Sequence, residues 1–116
     1  MKTKVQDFMI LGDGYANDGK QVFYNGTLLD ADSAAFTLLG HSYASDGVLV
    51  FGEGGLLDTT PQIFTLLSDG YACDDKHVFW GNHLLNVDRA SFRVLEDGYA
   101  EDKYHHIYRT VIKKKV

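Results

Sequence analysis

The hydrophobic and aromatic positions of this chain recur every 28 residues. At that offset a phenylalanine, a leucine, a Tyr-Ala pair and an aspartate keep the same register in four copies. The recurring side chains are Phe8, Phe36, Phe64 and Phe92; Leu11, Leu39, Leu67 and Leu95; Tyr15, Tyr43, Tyr71 and Tyr99; and Asp18, Asp46, Asp74 and Asp102. Such self-similarity predicts a repeat architecture. We expect a single repeat domain over residues 1–116, with units of about 8–35, 36–63, 64–91 and 92–116.

Each unit alternates short apolar segments with turn residues. In the third unit, Asp69-Gly70 is a pair suited to a tight turn with positive φ. The β-branched and aromatic segment from His77 to Trp80 predicts a strand, and the Leu84-Leu85 pair follows it. The pattern predicts two or three short strands in each unit.

A helical turn is predicted between units. Asp88 precedes Arg-Ala-Ser in the third unit, and Thr60-Pro61 places a capping residue and a proline where a helix would begin. Asp88–Leu95 could instead form a two-turn helix, since Phe92 and Leu95 are three residues apart. We predict a mainly β fold of four tandem 28-residue units of short antiparallel strands or hairpins, with a helical turn between units. The pattern leaves closure, a solenoid and a flat meander open.

The last unit departs from the others before its third segment. We expect it to be one residue longer there and to end in a closing strand that begins at Arg109. Edge strands at Phe8–Leu11 or Ile107–Ile112 could pair with another copy, so a homodimer is possible.

The repeated motif resembles the DKNYY repeat family of uncharacterised bacterial proteins. The resemblance rests on Tyr-Ala-x-Asp followed by Val, aromatic residues and Gly, as in Tyr15–Asp18 with Val22–Gly26 and in Tyr71–Asp74 with Val78–Trp80. Asp102-Lys103 keeps the first two letters of the motif, whereas the second unit has Gly52 in place of the second aromatic residue. The resemblance implies repeats and a bacterial source, in the cytoplasm or the cell envelope. It transfers no catalytic residue.

Composition and charge narrow the classes of partner. The formal net charge is −5, and all sixteen carboxylates lie between Asp7 and Asp102, whereas the Lys113–Lys115 run lies at the end. An acidic body repels phosphate backbones, so we expect no nucleic-acid partner. No apolar run is long enough for a membrane span, and the single cysteine excludes a disulfide framework.

Two kinds of recurring residue could bind a small ligand. Tyr24 and Trp80 follow the Val-Phe pair at equivalent positions, and exposed aromatic rings in register could bind a sugar. Asp18 and Asp74 are hard oxygen donors at repeated turns and could bind calcium, although each turn offers only one recurring carboxylate. The alternatives are that the rings are buried and that the aspartates close their turns.

Neither a resident metal nor a catalytic centre is indicated. Cys73 and His77 lie four residues apart, but zinc would need His83 or His105 brought close to them. Because Asn17, Ser45 and Glu101 occupy the position of Cys73 in the other units, we expect the thiol to face outward and to be incidental. We therefore predict a non-enzymatic module for protein interaction or structure, with no cofactor and an unknown protein partner. A ligand-binding repeat for carbohydrate or calcium is the alternative.

Overall fold

The computed structural model describes residues 9–116 and is almost entirely β-structure. Strands account for 46% of it, and the described residues form four separate antiparallel sheets of four strands each. Each sheet is a simple meander within one 28-residue unit, which confirms the predicted mainly β repeat fold. Phe8, at the start of the first predicted unit, lies outside the described residues.

The chain divides between Pro61 and Gln62 into two compact halves, each with two sheets. In the first half, the first sheet comprises β1 (Met9–Gly12), β2 (Tyr15–Asn17), β3 (Val22–Tyr24) and β4 (Thr27–Leu29). The second sheet comprises β5 (Thr37–Gly40), β6 (Tyr43–Ser45), β7 (Val50–Gly52) and β8 (Gly55–Leu57).

The second half repeats this order with the same strand lengths to within two residues. Its first sheet comprises β9 (Thr65–Leu66), β10 (Tyr71–Cys73), β11 (Val78–Trp80) and β12 (His83–Leu85). Its second sheet comprises β13 (Arg93–Val94), β14 (Tyr99–Glu101), β15 (His105–Tyr108) and β16 (Val111–Lys114). The prediction of two or three strands per unit was too low, because the Leu-Leu pair forms a fourth strand that is too short to show alternation.

Tight turns with positive φ join the strands, as predicted from the Asp-Gly pairs. Asp69 and Gly70 have φ of 59° and 85° between β9 and β10. Asn25 and Gly26 turn β3 into β4 with φ of 48° and 84°. Two consecutive residues with positive φ match the right-handed twist of the flanking strands. These turns explain why glycine recurs at the second turn position.

The second unit forms the same turn without a glycine. His41 and Ser42 have φ of 50° and 70°, where the other three units have Asp-Gly. A non-glycine residue in the left-handed region costs about 1 kcal/mol. We predict that Ser42→Gly stabilises the protein by about 0.5 to 1 kcal/mol, measured as a higher midpoint of denaturant unfolding. Ser33→Gly, in a helical turn, is the control and should lower the midpoint. An unchanged or lower midpoint for Ser42→Gly would contradict strain at this turn.

The segments between sheets contain at most one helical turn. Between β4 and β5, Ser33–Ala35 forms a 3₁₀ turn, and the Asp32 side chain caps it by accepting a hydrogen bond from the Ala34 amide. Between β12 and β13, the Phe92 amide donates to the Arg89 carbonyl at 3.4 Å, and strand structure begins at Arg93. The alternative two-turn helix over Asp88–Leu95 is therefore wrong.

The last unit keeps the 28-residue register without an insertion. The Asp102 amide donates to the His105 carbonyl, as the Asp46 amide donates to Leu49 in the second unit. The expected extra residue is therefore wrong. The expected closing strand is present as β16 but begins at Val111, because Arg109 has φ of 57° and lies in the turn between β15 and β16. Ile107–Ile112 is a hairpin and not one edge strand. The outer strands of this sheet are β13 and β16, and in the first sheet Met9–Gly12 is an outer strand.

In each half a buried tyrosine joins one repeat to the next. The Tyr15 hydroxyl donates to the Ser42 carbonyl at 2.8 Å and accepts from the Gly54 amide at 3.0 Å. In the second half, the Tyr71 hydroxyl donates to the Gly98 carbonyl at 2.7 Å and accepts from the Arg109 amide at 2.7 Å. We call this arrangement the tyrosine junction. It connects sheets that share no strand pairing.

The tyrosine junctions lie within the apolar core of each half. The core of the first half contains Tyr15, Val22, Phe36, Ala44 and Phe51. In it, Phe36 packs between Tyr15 of the first repeat and Phe51 of the second, with ring centroids 5.5 and 6.0 Å apart. In the second half, Phe92 packs on Tyr71 at 5.5 Å. Within each half, the two repeats therefore pack aromatic side chains against each other.

Candidate functional site

The recurring aspartates accept hydrogen bonds from backbone amides. Asp46 Oδ1 accepts from the Val48 and Leu49 amides at 2.9 and 2.7 Å, and its Oδ2 accepts from the Asp32 amide at 3.0 Å. The first pair closes the turn between β6 and β7. The third bond holds the segment that leads into the 3₁₀ turn. The Asp46 carboxylate thus fixes both a turn and the connection between two sheets.

Asp102 repeats this arrangement in the second half. Its Oδ1 accepts from the Tyr104 and His105 amides at 2.7 and 2.5 Å, and its Oδ2 accepts from the Asp88 amide at 2.6 Å. The His105 Nδ1 lies 2.9 Å from the same Oδ2. Since Asp102 is buried, these partners replace the water that a carboxylate otherwise requires.

The two predicted calcium ligands occupy the same kind of turn. Asp18 Oδ1 accepts from the Lys20 and Gln21 amides, and Asp74 Oδ1 accepts from the Lys76 and His77 amides. They belong to different sheets, one in each half of the chain. Within residues 9–116, no three His, Cys, Asp or Glu side chains lie close enough together to hold a metal ion. No contact of these residues favours calcium binding.

Burial and amide donors act in opposite directions on the buried aspartates. Burial opposes ionisation of Asp46 and Asp102, but the amide hydrogen bonds outweigh it and lower the pKa of both carboxyls. For Asp102 the hydrogen bond from His105 acts in the same direction as the amides. Both groups are therefore ionised at neutral pH, and their charge stabilises the fold.

Tyr24 is half-buried and packs at the contact between the first and second repeats. Its ring lies 4.9 Å from the Tyr15 ring. A Cβ at Gly54 of the second repeat would lie 2.5 Å from the Tyr24 ring, so only glycine fits beneath it. The ring covers the tyrosine junction, and these contacts give Tyr24 a packing role.

Trp80 has the equivalent position in the second half. Its Nε1 donates to the Asp69 carbonyl at 3.1 Å, and the Arg109 guanidinium lies 5.6 Å from its ring. Gly70 leaves room for the indole, since a Cβ there would lie 3.0 Å from Nε1. Trp80 and Tyr24 thus cover two different junctions, and no contact among the described residues favours a sugar-binding platform.

The thiol of Cys73 does not face outward, as the sequence led us to expect. Cys73 is buried in the core of the second half with Tyr71 and Val78. Burial raises the pKa of the thiol, although Arg89 opposes this shift. A buried thiol with a raised pKa is a poor nucleophile and a poor metal ligand at neutral pH. The structure places His77 against Asp74, with Nδ1 3.2 Å from Oδ2.

Sequence reasoning missed a set of exposed leucines. Leu28, Leu56 and Leu84 occupy the middle of the fourth strand in three repeats, and 54%, 62% and 60% of their surfaces are exposed. The next residue in two of these strands, Leu57 or Leu85, is buried. The signal was present in the sequence, because alternation along a strand requires one member of each Leu-Leu pair to face outward. On each of these three sheets, we call the exposed leucine and the strand face around it the leucine surface.

Each leucine of this surface lies opposite a phenylalanine of the third strand. The paired residues are Phe23 with Leu28, Phe51 with Leu56, and Phe79 with Leu84. Opposite residues in an antiparallel pair project to the same face of the sheet. An exposed leucine therefore lies beside a phenylalanine that is buried or half-buried, on the same face of its sheet.

Comparisons with protein-family models, with curated proteins and with solved structures found no match. The resemblance to the DKNYY repeats therefore remains a prediction. None of the described helical segments is long and apolar enough to cross a membrane.

Proposed function

We propose that this protein is a non-enzymatic repeat module that binds a protein partner through the leucine surface. The observation that carries the proposal is the exposure of a leucine at the same strand position in three repeats. A large apolar side chain that recurs at an exposed position is typical of an interaction site. Its removal from water on binding supplies the favourable free energy.

The remaining chemistry of the chain supports an interaction role over catalysis. The recurring aspartates and tyrosines are engaged in hydrogen bonds that hold turns and junctions. The one thiol is buried. Of the residue types that could perform chemistry, Tyr15, Tyr71, Asp46 and Asp102 thus have structural roles, whereas the recurring leucines are exposed.

The test is an affinity capture with the wild-type chain and a variant with Leu28, Leu56 and Leu84 all replaced by serine. We expect the wild type to retain a defined protein partner and the triple variant to lose it, with unchanged circular dichroism. The matched control replaces Val48, an exposed apolar residue in a turn, by serine and should retain the partner. Undiminished capture by the folded triple variant would contradict the proposal.

A further inference from the structure

The outer face of the fourth repeat carries the residues that form the tyrosine junction elsewhere. In the first repeat, Asp13, Tyr15 and Tyr24 make the contacts with the second repeat. The equivalent residues of the fourth repeat, 84 positions later, are Asp97, Tyr99 and Tyr108, so the residue types are identical. Within residues 9–116, no further repeat packs on these three side chains, and Tyr99 is exposed.

The equivalent tyrosines of the other repeats show how much of the side chain a following repeat buries. Tyr15 and Tyr71 are 0% exposed, whereas Tyr99 is 54% exposed. The Tyr99 hydroxyl makes no hydrogen bond within residues 9–116. Among the described residues, its ring contacts the Tyr108 ring, 4.8 Å away, beside a mostly apolar groove of about 340 Å³ whose lining includes Leu95, Val111 and Lys113. This face is therefore an apolar surface with an unused hydroxyl group.

The first repeat presents the matching half of the same contact. In the first half, Ser42 supplies the carbonyl that Tyr15 bonds and the amide that donates to Asp13 at 3.3 Å. Ser42 has the equivalent Gly98 in the fourth repeat, which is buried under the preceding repeat. Its equivalent in the first repeat is Gly14, which is exposed. Gly14 keeps a carbonyl that accepts one backbone bond, from Asn25, as Ser42 accepts one from Glu53.

Gly26 of the first repeat occupies the position over which an aromatic ring packs in the second repeat. It is the equivalent of Gly54, over which the Tyr24 ring packs. Both glycines have positive φ and are the second residue of their turn. No described atom lies within 4 Å of the place that a Gly26 Cβ would occupy. The space that Tyr24 fills at Gly54 is thus open at Gly26.

We propose that the fourth repeat of one molecule docks on the first repeat of a second copy through an intermolecular tyrosine junction. Tyr99 bonds the Gly14 carbonyl and the Gly26 amide of that copy, Asp97 accepts from its Gly14 amide, and Tyr108 packs over its Gly26. The contact reproduces the one that joins the two repeats of the first half. It uses two different faces of the chain, so assembly is head to tail and continues to filaments or closes to rings. This inference is independent of the leucine surface.

The test is the weight-average mass from light scattering, measured up to about 1 mM protein, where even a weak contact is populated. We expect the mass to rise with concentration above the 13.0 kDa of one chain. Tyr99→Asp places a charge in the junction and should raise the dissociation constant at least about tenfold, with an unchanged fold because Tyr99 is exposed. Tyr104, which is 53% exposed but lies in a turn away from this face, provides the matched control, and Tyr104→Asp should associate like the wild type.

A mixing experiment distinguishes head-to-tail assembly from symmetric pairing. The Tyr99→Asp chain keeps an intact first repeat, so an excess of it should cap wild-type assemblies and lower their mean mass. A wild-type chain that stays monomeric at about 1 mM would overturn the proposal, and so would a Tyr99→Asp variant that associates like the wild type. Association that stops at a dimer and is not reduced by the excess variant would show pairing of edge strands and would also overturn it.

Discussion

Replacing Asp102 by asparagine is expected to destabilise the second half by about 3 kcal/mol. The substitution conserves shape but exchanges one carboxylate oxygen for an NH₂ group. Because Oδ1 and Oδ2 both accept from backbone amides, either orientation of the asparagine places a donor against a donor. The backbone amide that loses its acceptor faces the buried side chain at position 102, so its hydrogen bond to that side chain is lost.

The measurement is the midpoint of urea unfolding, with Asp75→Asn as the control for loss of one charge. Asp75 is exposed next to the equivalent turn, and its substitution should change the free energy of unfolding by less than about 0.5 kcal/mol. Equal midpoints for Asp102→Asn and the wild type would contradict the role given to the buried carboxylate.

The lowered pKa of Asp102 also fixes the direction of its pH dependence. A carboxyl with a lower pKa in the folded state stabilises the fold above its unfolded value, 3.8, and loses that contribution as the pH falls below it. The wild-type melting temperature should therefore fall on acidification below about pH 4. The melting temperature of the Asp102→Asn variant should fall less steeply with pH, because one carboxyl with a lowered pKa is missing.

Tyr71→Phe is expected to lower the stability of the second half by about 2 to 3 kcal/mol, although only one oxygen atom is removed. The hydroxyl is buried, and its loss leaves the Gly98 carbonyl and the Arg109 amide without this partner. Burial also raises the pKa of Tyr71, and raises that of Tyr15 to about 12, so both hydroxyls remain protonated donors at neutral pH. A fall in the melting temperature of about 8 to 12 °C should follow.

The repeat supplies a matched control for this substitution. Tyr99 is the equivalent residue of the fourth repeat, and its hydroxyl bonds nothing within the described residues. At low protein concentration, Tyr99→Phe should change the stability by less than about 0.5 kcal/mol. Equal effects of Tyr71→Phe and Tyr99→Phe would mean that the tyrosine junction does not stabilise the contact between repeats.

Much of the fold could be predicted from the sequence, because its turns and strands are local. The 28-residue period and the Asp-Gly turn at Asp69-Gly70 rest on the conformational preferences of a few neighbouring residues. The role of the aspartates in closing turns was one of two predicted alternatives for the same reason, since the amide partners of Asp18 and Asp74 lie two and three residues along the chain.

Features that depend on contacts between repeats could not be predicted. Tyr24 and Trp80 follow the same sequence motif whether their rings are covered by the next repeat or exposed to solvent. Only the contacts with Gly54 and Arg109 of the next repeat show that the rings are covered. Cys73 was predicted to face outward because polar residues replace it in other repeats. Its strand has only three residues and is buried throughout, so alternation does not indicate its environment.

Amide hydrogen exchange at Gly54 and Gly26 tests the central claim, that tyrosine junctions join the repeats, most directly. The two glycines are 28 residues apart and occupy the same position of the same kind of turn, with φ of 77° and 84°. The Gly54 amide donates to the Tyr15 hydroxyl, whereas Gly26 is exposed. In dilute solution we predict slow exchange at Gly54 and fast exchange at Gly26. Exchange at Gly54 as fast as at Gly26 would contradict the junction.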